Sequence, residues 1–370
     1  MKIVCSRNQL NIALTAAMRA VPNNSPMPIL EYLLVEAKNN KLFITGYDNE
    51  IAIEYNIDCE VINEGSFLVN GERFSDIVKH LSDDIVSISS NNNDNSGNIN
   101  IECGTSFINI VVRQTESYPS LPEFVEEQSS LSIPQAMLRE MINQTAYAAS
   151  DDKDRGIMQG VKMTSKDKTL TLVGIDGYRI ALRREHFEEN LPDMDCIIPK
   201  KTLLEISRII EDSDDEISIK PTNSFVFFET EKIKVVSRLL EGEYMKYEAS
   251  FPREVMTVIE IDKREFENSV GRAFLLMNDT IRRVPIVITS EENKLIVRTK
   301  TEIGSIKDEL DITINGDPID ADYDPKYFRE SLRVLKDERI RIEFSGAVGP
   351  CLIKPVSGDR FIYLLLPLRR

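Results

Sequence analysis

TLTLVGIDGYRIALR, residues 169 to 183, alternates apolar and polar side chains, breaks at Asp176-Gly177, and alternates again. Period-two alternation on both sides of a short polar break predicts a β-hairpin, and Asp-Gly suits the positive φ angles of a two-residue turn. The pattern recurs. KLFITGYDNEIAIEY begins at Lys41 and KLIVRTKTEIGSIKDEL at Lys294, and the turn positions Asp48, Asp176 and Thr301 are spaced by 128 and 125 residues. Self-similarity at a long, nearly fixed period marks a repeated unit, so the chain reads as three copies of one fold.

Other landmarks keep that register. VNGERFSDIVKHL, IPKKTLLEISRII and YDPKYFRESLRVL each run from a strand end into a helix, with apolar stripes Phe74, Ile77, Val78, Leu81; Leu203, Ile206, Ile210; and Phe328, Leu332, Leu335. Pro199 and Pro325 sit where a first helical turn tolerates a missing N–H. A second helix opens each unit: SRNQLNIALTAAMRAV, PQAMLREMINQTAYAA and DKREFENSVGRAFLL. Leu10, Ala13, Leu14, Ala17 and Val21 give the apolar face of the first, and Phe266, Val270, Ala273, Phe274 and Met277 that of the third. Short alternating strands precede these helices, as in LSI before Pro134 and VIEI before Asp262. The class is α+β: three repeated domains, each with two helices packed on antiparallel sheet. Proline and acidic residues interrupt the alternation at 115–130 and 247–256, which places the domains at 1–127, 128–252 and 253–370. SSNNNDNSGN (89–98) reads as a loose polar loop and EDSDDE (211–216) as a solvated turn.

Composition narrows the function classes. Lys and Arg number 45 against 61 Asp and Glu, a formal charge of −16, which disfavours uniform adhesion to nucleic acid or anionic membrane. No apolar run approaches the roughly 18 residues of a membrane span, and Ser6 to Gln9 interrupt any leader-like apolar start, so a cytoplasmic protein is expected. Five scattered cysteines without a C-x-x-C pair suggest buried thiols rather than a disulfide framework or zinc site. With two histidines and no Walker loop or G-x-G-x-x-G, neither catalytic residues, a metal nor a cofactor is expected. Pairs such as Asp151-Asp152 and Asp214-Asp215 read as solvated loop charge.

Charge is nevertheless segregated. Helices placed at 6–20, 71–81, 134–149, 199–211, 262–276 and 324–336 carry 15 basic against 10 acidic residues, so they are positive while the remainder is strongly negative. If three like units curve so that the helices share one side, Arg7, Arg19, Arg73, Lys79, Arg139, Lys200, Lys201, Arg208, Lys263, Arg264, Arg272, Lys326, Arg329 and Arg333 line a concave surface, with Arg155 near its rim. No helix-turn-helix or zinc-finger signature appears, so contact would be with phosphate, without base specificity.

In order and motif the chain resembles the bacterial β sliding clamp family, the processivity subunit of the replicative DNA polymerase. The resemblance covers essentially the whole chain and rests on SPMPILEYLLVEA (25–37), GYDNEIAIEY (46–55), IPQAMLREMINQTAYAAS (133–150), LVGIDGYRIAL (172–182) and the tail LLLPLRR (364–370). It implies three domains forming half of a ring, two chains closing head to tail around duplex DNA, and helices lining the hole. The implied joint brings Arg73 and Phe107 of one chain against Leu275 and Leu276 of the other. The family's tail, here Leu364, Leu365, Leu366, Pro367, Leu368 and Arg369, walls a pocket for a short apolar peptide from polymerases, the clamp loader and repair proteins. The other implied walls are Met158, Ile175, Gly177, Tyr178, Arg179 and Ile180, with Ile281, Tyr327 and Val348. EYMKYEASFP (243–252) departs from the family by placing Met245 where many relatives have proline, with small Ala249 and Ser250 beside it. Against this stands a repeat scaffold that binds protein alone, its positive helices incidental.

Overall fold

The structure, a computed structural model, describes residues 1–90, 97–122, 130–276 and 286–368. Among these are six α-helices: α1 Arg7–Ala17, α2 Gly71–Lys79, α3 Gln135–Thr145, α4 Lys200–Ile209, α5 Lys263–Phe274 and α6 Pro325–Val334. Each starts within one residue of the expected position and stops two to four residues early. In α1 and α3 the final turn tightens into 3₁₀ geometry at Met18–Ala20 and Ala146–Ala148. The expected apolar faces point inward: Leu10, Ala13, Leu14, Ala17, Phe74, Val78, Leu203, Ile206, Phe266, Val270, Phe328 and Leu332 are buried, while Val21 and Ile77 are half-buried. Met277 lies outside the described residues. Asn70, Asp262 and Asp324 cap α2, α5 and α6, accepting the amides of Arg73, Glu265 and Lys326 at 3.1, 2.9 and 2.9 Å. Pro325 opens α6, whereas Pro199 ends the strand Met194–Pro199 and stands just ahead of α4.

The hairpin turn is centred one residue later than its sequence suggests. Gly177 has φ 90°, but Asp176 is not in the positive-φ region. Asp176 instead closes the turn through its carboxylate, which accepts the backbone N–H of Tyr178 at 2.9 Å and of Arg179 at 3.2 Å. Asp48 does the same to Glu50 and Ile51 (2.9 and 2.8 Å), and the Thr301 hydroxyl accepts from Ile303 at 3.2 Å. What repeats is therefore a side-chain cap on the amide two residues on.

Two residues before the first two caps stand Gly46 and Gly174. A Cβ at either would lie 2.2 Å from a helix-end carbonyl, that of Ala17 or Thr145 respectively. The missing side chain lets each hairpin strand touch the end of α1 or α3. Gly174→Ala is expected to cost roughly 1–3 kcal/mol, because a backbone carbonyl must yield; an unchanged denaturant midpoint would refute this close-packing account. The third copy has Thr299 at this place.

By contacts the chain forms two compact units, Met1–Met137 with Glu205–Leu239, and Leu138–Leu204 with Leu240–Arg370, so the middle repeat is divided. The cause is sheet continuity. In the first unit Ile51–Asp58 of the first repeat pairs antiparallel with Ile233–Arg238 of the middle repeat, Ile233 opposite Tyr55 and Ser237 opposite Ile51, within an eight-stranded sheet. A five-stranded sheet completes this unit and ends on the edge strand Ser106–Val111. In the second unit Arg179–His186 of the middle repeat pairs with Phe361–Leu365 of the last, inside a twelve-stranded sheet. The thirteen-residue strand Gly304–Gly316 carries that sheet onward, pairing with Thr257–Asp262 by one end and with Lys294–Thr301 by the other. Helices α5 and α6 cover this part, with Phe266 and Phe328 edge to face at 5.3 Å.

Candidate functional site

The implied peptide-pocket residues that are described all lie in the second unit. Pairing of Arg179 with Leu365 and Ile180 with Leu364 sets the hairpin beside the closing strand. Beyond that strand Leu366 donates its N–H to the Tyr178 carbonyl at 3.0 Å, and Leu368 donates to Asp322 at 2.8 Å. A chain end that would otherwise fray is thus held as far as Leu368. Arg369 and Ile281 lie outside the described residues.

The pocket candidates separate into two layers. Tyr178, Met245, Leu366 and, at 94 % exposure, Val348 are on the surface, with Met158, Tyr327, Pro367 and Leu368 half-buried. Ile175, Ile180 and Leu364 are buried in one apolar cluster with Tyr244, Tyr247 and Leu352, and Leu365 is buried in the adjoining core. Tyr247–Ser250 is a single 3₁₀ turn that buries Tyr247 and leaves Met245 outside. The Tyr178 and Tyr327 rings stack at 6.2 Å and 21°. Gly177 makes room for Arg155, whose Nη1 would stand 2.7 Å from a Cβ there and donates to the Asp176 carbonyl at 3.0 Å. Arg155, expected near a DNA rim, thus packs on this hairpin turn and on the Tyr178 ring.

Arg179 lies behind this surface at 5 % exposure. Its Nε donates to Asp176 Oδ2 at 2.9 Å, Nη1 pairs with Glu330 of α6, and Nη2 donates to the Tyr147 carbonyl at 3.0 Å. The guanidinium also lies over the Tyr147 and Tyr327 rings, at 5.4 and 4.6 Å. Burial works to lower its pKa, but Tyr363, Glu330 and Asp176 outweigh burial and hold it above the ordinary value. Burial pushes the Tyr147 and Tyr363 hydroxyls up as well. Tyr147, Glu330 and Asp176 were not among the sequence candidates. No periodicity within one repeat signals a contact made between repeats; only a charged residue inside the apolar strand pattern of 172–182 hints at it.

The basic helix residues also divide. Arg19 and Arg208 both pair with Glu205 (2.8 and 2.6 Å), Lys200 with Asp151 (2.6 Å), Arg272 with Asp308 (2.8 Å) and Lys263 with Glu267 (3.5 Å). Arg7 donates to the Leu81 carbonyl at 3.0 Å, Lys79 has Asp76 at 3.6 Å, and Arg329 covers the Phe274 ring at 4.1 Å. Lys201 is exposed and also has an interaction partner. Arg73, Arg264, Lys326 and Arg333 are exposed and Arg139 is half-buried, each without an ion pair among the described residues. The charge of these five is thus not offset by an ion pair among the described residues.

Of the implied joint residues, Phe107 is 64 % exposed on the edge strand Ser106–Val111, Leu275 is 77 % exposed just past α5, and Leu276 is half-buried. Burial pushes Cys5, Cys196 and Cys351 up to about 12 and Cys59 to about 11, so these thiols stay protonated at neutral pH. Among the described residues no group of three His, Cys, Asp or Glu side chains is placed to hold a metal, and no helix is long and apolar enough to cross a membrane.

Comparison with known proteins agrees along the whole chain. Three family profiles match in order: the N-terminal domain of the DNA polymerase III beta subunit over residues 1–122, its central domain over 132–246 and its C-terminal domain over 248–369. A beta sliding clamp of Staphylococcus epidermidis is 30 % identical over 371 residues, covering 98 % of this chain and 96 % of the relative. That of Staphylococcus aureus is 28 % identical over 378 residues, covering 100 % and 99 %. Among solved structures, a putative DNA polymerase III beta subunit from Eubacterium rectale superposes with a TM-score of 0.93 at 32 % identity, covering 100 % of both chains. The DNA polymerase sliding clamp from Bacillus subtilis gives 0.94 at 27 % identity, over 100 % and 99 %.

Proposed function

The chain belongs to the β sliding clamp family of DNA polymerase III beta subunits, and on that premise we propose that two copies close head to tail into a ring that encircles duplex DNA. It is a DNA sliding clamp, an accessory processivity subunit. Its own part is mechanical: no catalytic residue is assigned, and linkage by topology replaces tight binding. The observation that carries the reading is the match of three clamp domains in order along one chain whose helices are positive and whose remainder is acidic. Phosphate contacts that are individually weak and salt-dependent would centre the duplex without fixing a position on it. Arg73, Arg139, Arg264, Lys326 and Arg333 are the foremost candidates for those contacts. The proposed domain limits are 1–127, 128–252 and 253–370, and the proposed setting is the cytoplasm, at the nucleoid.

The proposed partner site is the apolar surface around the Tyr178–Tyr327 stack, with Leu366 to Leu368 as one wall. Apolar side chains would supply affinity there, and the flexible Met158 and Met245 suit several partners. The deciding experiment loads the clamp onto nicked circular DNA and then cuts the circle. Encirclement requires retention on the circle and loss on linearisation. Equal retention on both would indicate ordinary DNA binding, and no retention would favour the protein-only scaffold. For the joint, Leu275→Asp with Leu276→Lys is expected to give folded monomers by light scattering, because charge would be buried against the neighbour's edge strand. An unchanged mass would remove these residues from the joint.

A further inference from the structure

Lys200 opens α4 in the middle repeat, where the first positions of the equivalent helices α2 and α6 are Gly71 and Pro325. Those two helices are capped by Asn70 and Asp324, whereas α4 follows Pro199, whose side chain offers no acceptor. A cation gains nothing from the positive end of a helix dipole, and α4 has no acidic residue in its first turn to offset it. Lys200 therefore does not serve the helix that it opens. Its side chain is 14 % exposed, and its ammonium donates to the Ala149 carbonyl at 2.9 Å and to Asp151 Oδ1 at 2.6 Å. These two acceptors stand on either side of Ser150.

Ser150 is the point at which the segment 150–158 closes on itself, its N–H donating to the Met158 carbonyl at 2.8 Å. Within the loop the Ser150 hydroxyl accepts the Asp152 N–H at 3.1 Å, and Asp152 Oδ1 accepts the Asp154 N–H at 3.0 Å. Bonds inside a loop fix its shape, not its place on the body. Place comes from its outside ties. At the far end Arg155 donates to the Asp176 carbonyl and lies over the Tyr178 ring, and Ile157 packs on the apolar cluster that holds Ile175, Ile180 and Leu364. At the base the tie is Lys200.

We infer that Lys200 is a positioning residue of the partner site and not a phosphate contact: by holding the chain on both sides of Ser150 it sets the base of the loop that carries Arg155 and Met158 to the Tyr178–Tyr327 stack. The inference rests on the partner-surface reading above. It accounts for a lysine at this helix start in the repeat that carries the loop, where the other two repeats have glycine and proline. It also separates Lys200 from the basic helix residues whose charge is free for DNA, since its ammonium already has two acceptors.

The test uses the full-length protein and its Lys200→Met variant, with three readouts. Affinity for the cognate replicative polymerase, by surface plasmon resonance, is expected to fall about fivefold to tenfold. Amide hydrogen exchange at Ser150 and Arg155 should quicken while that of Leu203 to Ile209 in α4 stays as it was. Binding of a linear DNA duplex should keep the same slope of log K against log salt, because a lost phosphate contact would change that slope by about 0.9. Asp151→Asn, at a position 84 % exposed, is the second variant should Lys200→Met fold poorly, and should weaken the polymerase by about twofold to fivefold. Unchanged polymerase affinity, exchange that quickens along α4, or a shallower salt slope would each overturn the inference. The deletion of 366–370 runs alongside: if it binds polymerase as the intact protein does, the partner-surface reading fails and the inference with it. If the deletion loses binding while Lys200→Met retains it in full, the inference alone fails.

Discussion

Arg179→Met is expected to destabilise the protein by roughly 3–5 kcal/mol, since it strands the carboxylates of Glu330 and Asp176 in a largely enclosed site. The guanidinium ties three elements together: the hairpin turn through Asp176, the segment after α3 through the Tyr147 carbonyl, and α6 through Glu330. Arg179→Lys is no substitute, because one ammonium cannot reach three acceptors that diverge around a planar fork. Combining Arg179→Met with Glu330→Leu should recover much of the loss, as apolar replacement of a whole buried pair often does. Denaturant midpoints of the two single variants and the double variant give the coupling directly. If the double variant is as unstable as the sum of the singles, the three-way tie is not what holds these elements. Peptide affinity should fall in Arg179→Met as well, because Tyr327 both stacks on Tyr178 and lies against the guanidinium.

Removing residues 366–370 is expected to weaken binding of an apolar partner peptide by about 100-fold or more, the loss of roughly 3 kcal/mol typical of a central apolar anchor group. Polymerase stimulation should vanish with it. The strand Phe361–Leu365 stays paired on both sides, to Arg179–His186 and to Cys351–Pro355, so the fold and the ring should persist. Fluorescence polarisation of a labelled peptide and primer extension on a long template check the two halves of this prediction. Full stimulation by the truncated protein would place the partner site elsewhere.

The sequence was most informative where local chemistry repeats. The spacing of Asp48, Asp176 and Thr301 marks the caps found at all three hairpins, although the alternation alone misplaced the turn at Asp176 by one residue. Only the carboxylate's hydrogen bonds distinguish a residue that precedes a turn from one inside it. The helix stripes were legible because one side of each helix must be apolar to pack. The site was read unevenly. Its exposed apolar candidates, Tyr178, Leu366 and Val348, and the buried Arg179 could be named by resemblance, whereas the partners that hold Arg179 in place could not. Tyr147 and Glu330 lie 32 and 151 residues from Arg179, and no pattern in one dimension links them.

Alternation at period two and period 3.6, with caps at fixed offsets, determined the elements, their order and their threefold repetition, because these depend on neighbours within a few residues. Which strands join across repeats was decided by tertiary structure alone: Ile51–Asp58 beside Ile233–Arg238, and Arg179–His186 beside Phe361–Leu365. An edge strand can complete its hydrogen bonds with any strand of suitable length and twist. Only packing of the side chains beneath it, and burial of a charge such as Arg179 among partners from two repeats, selects one.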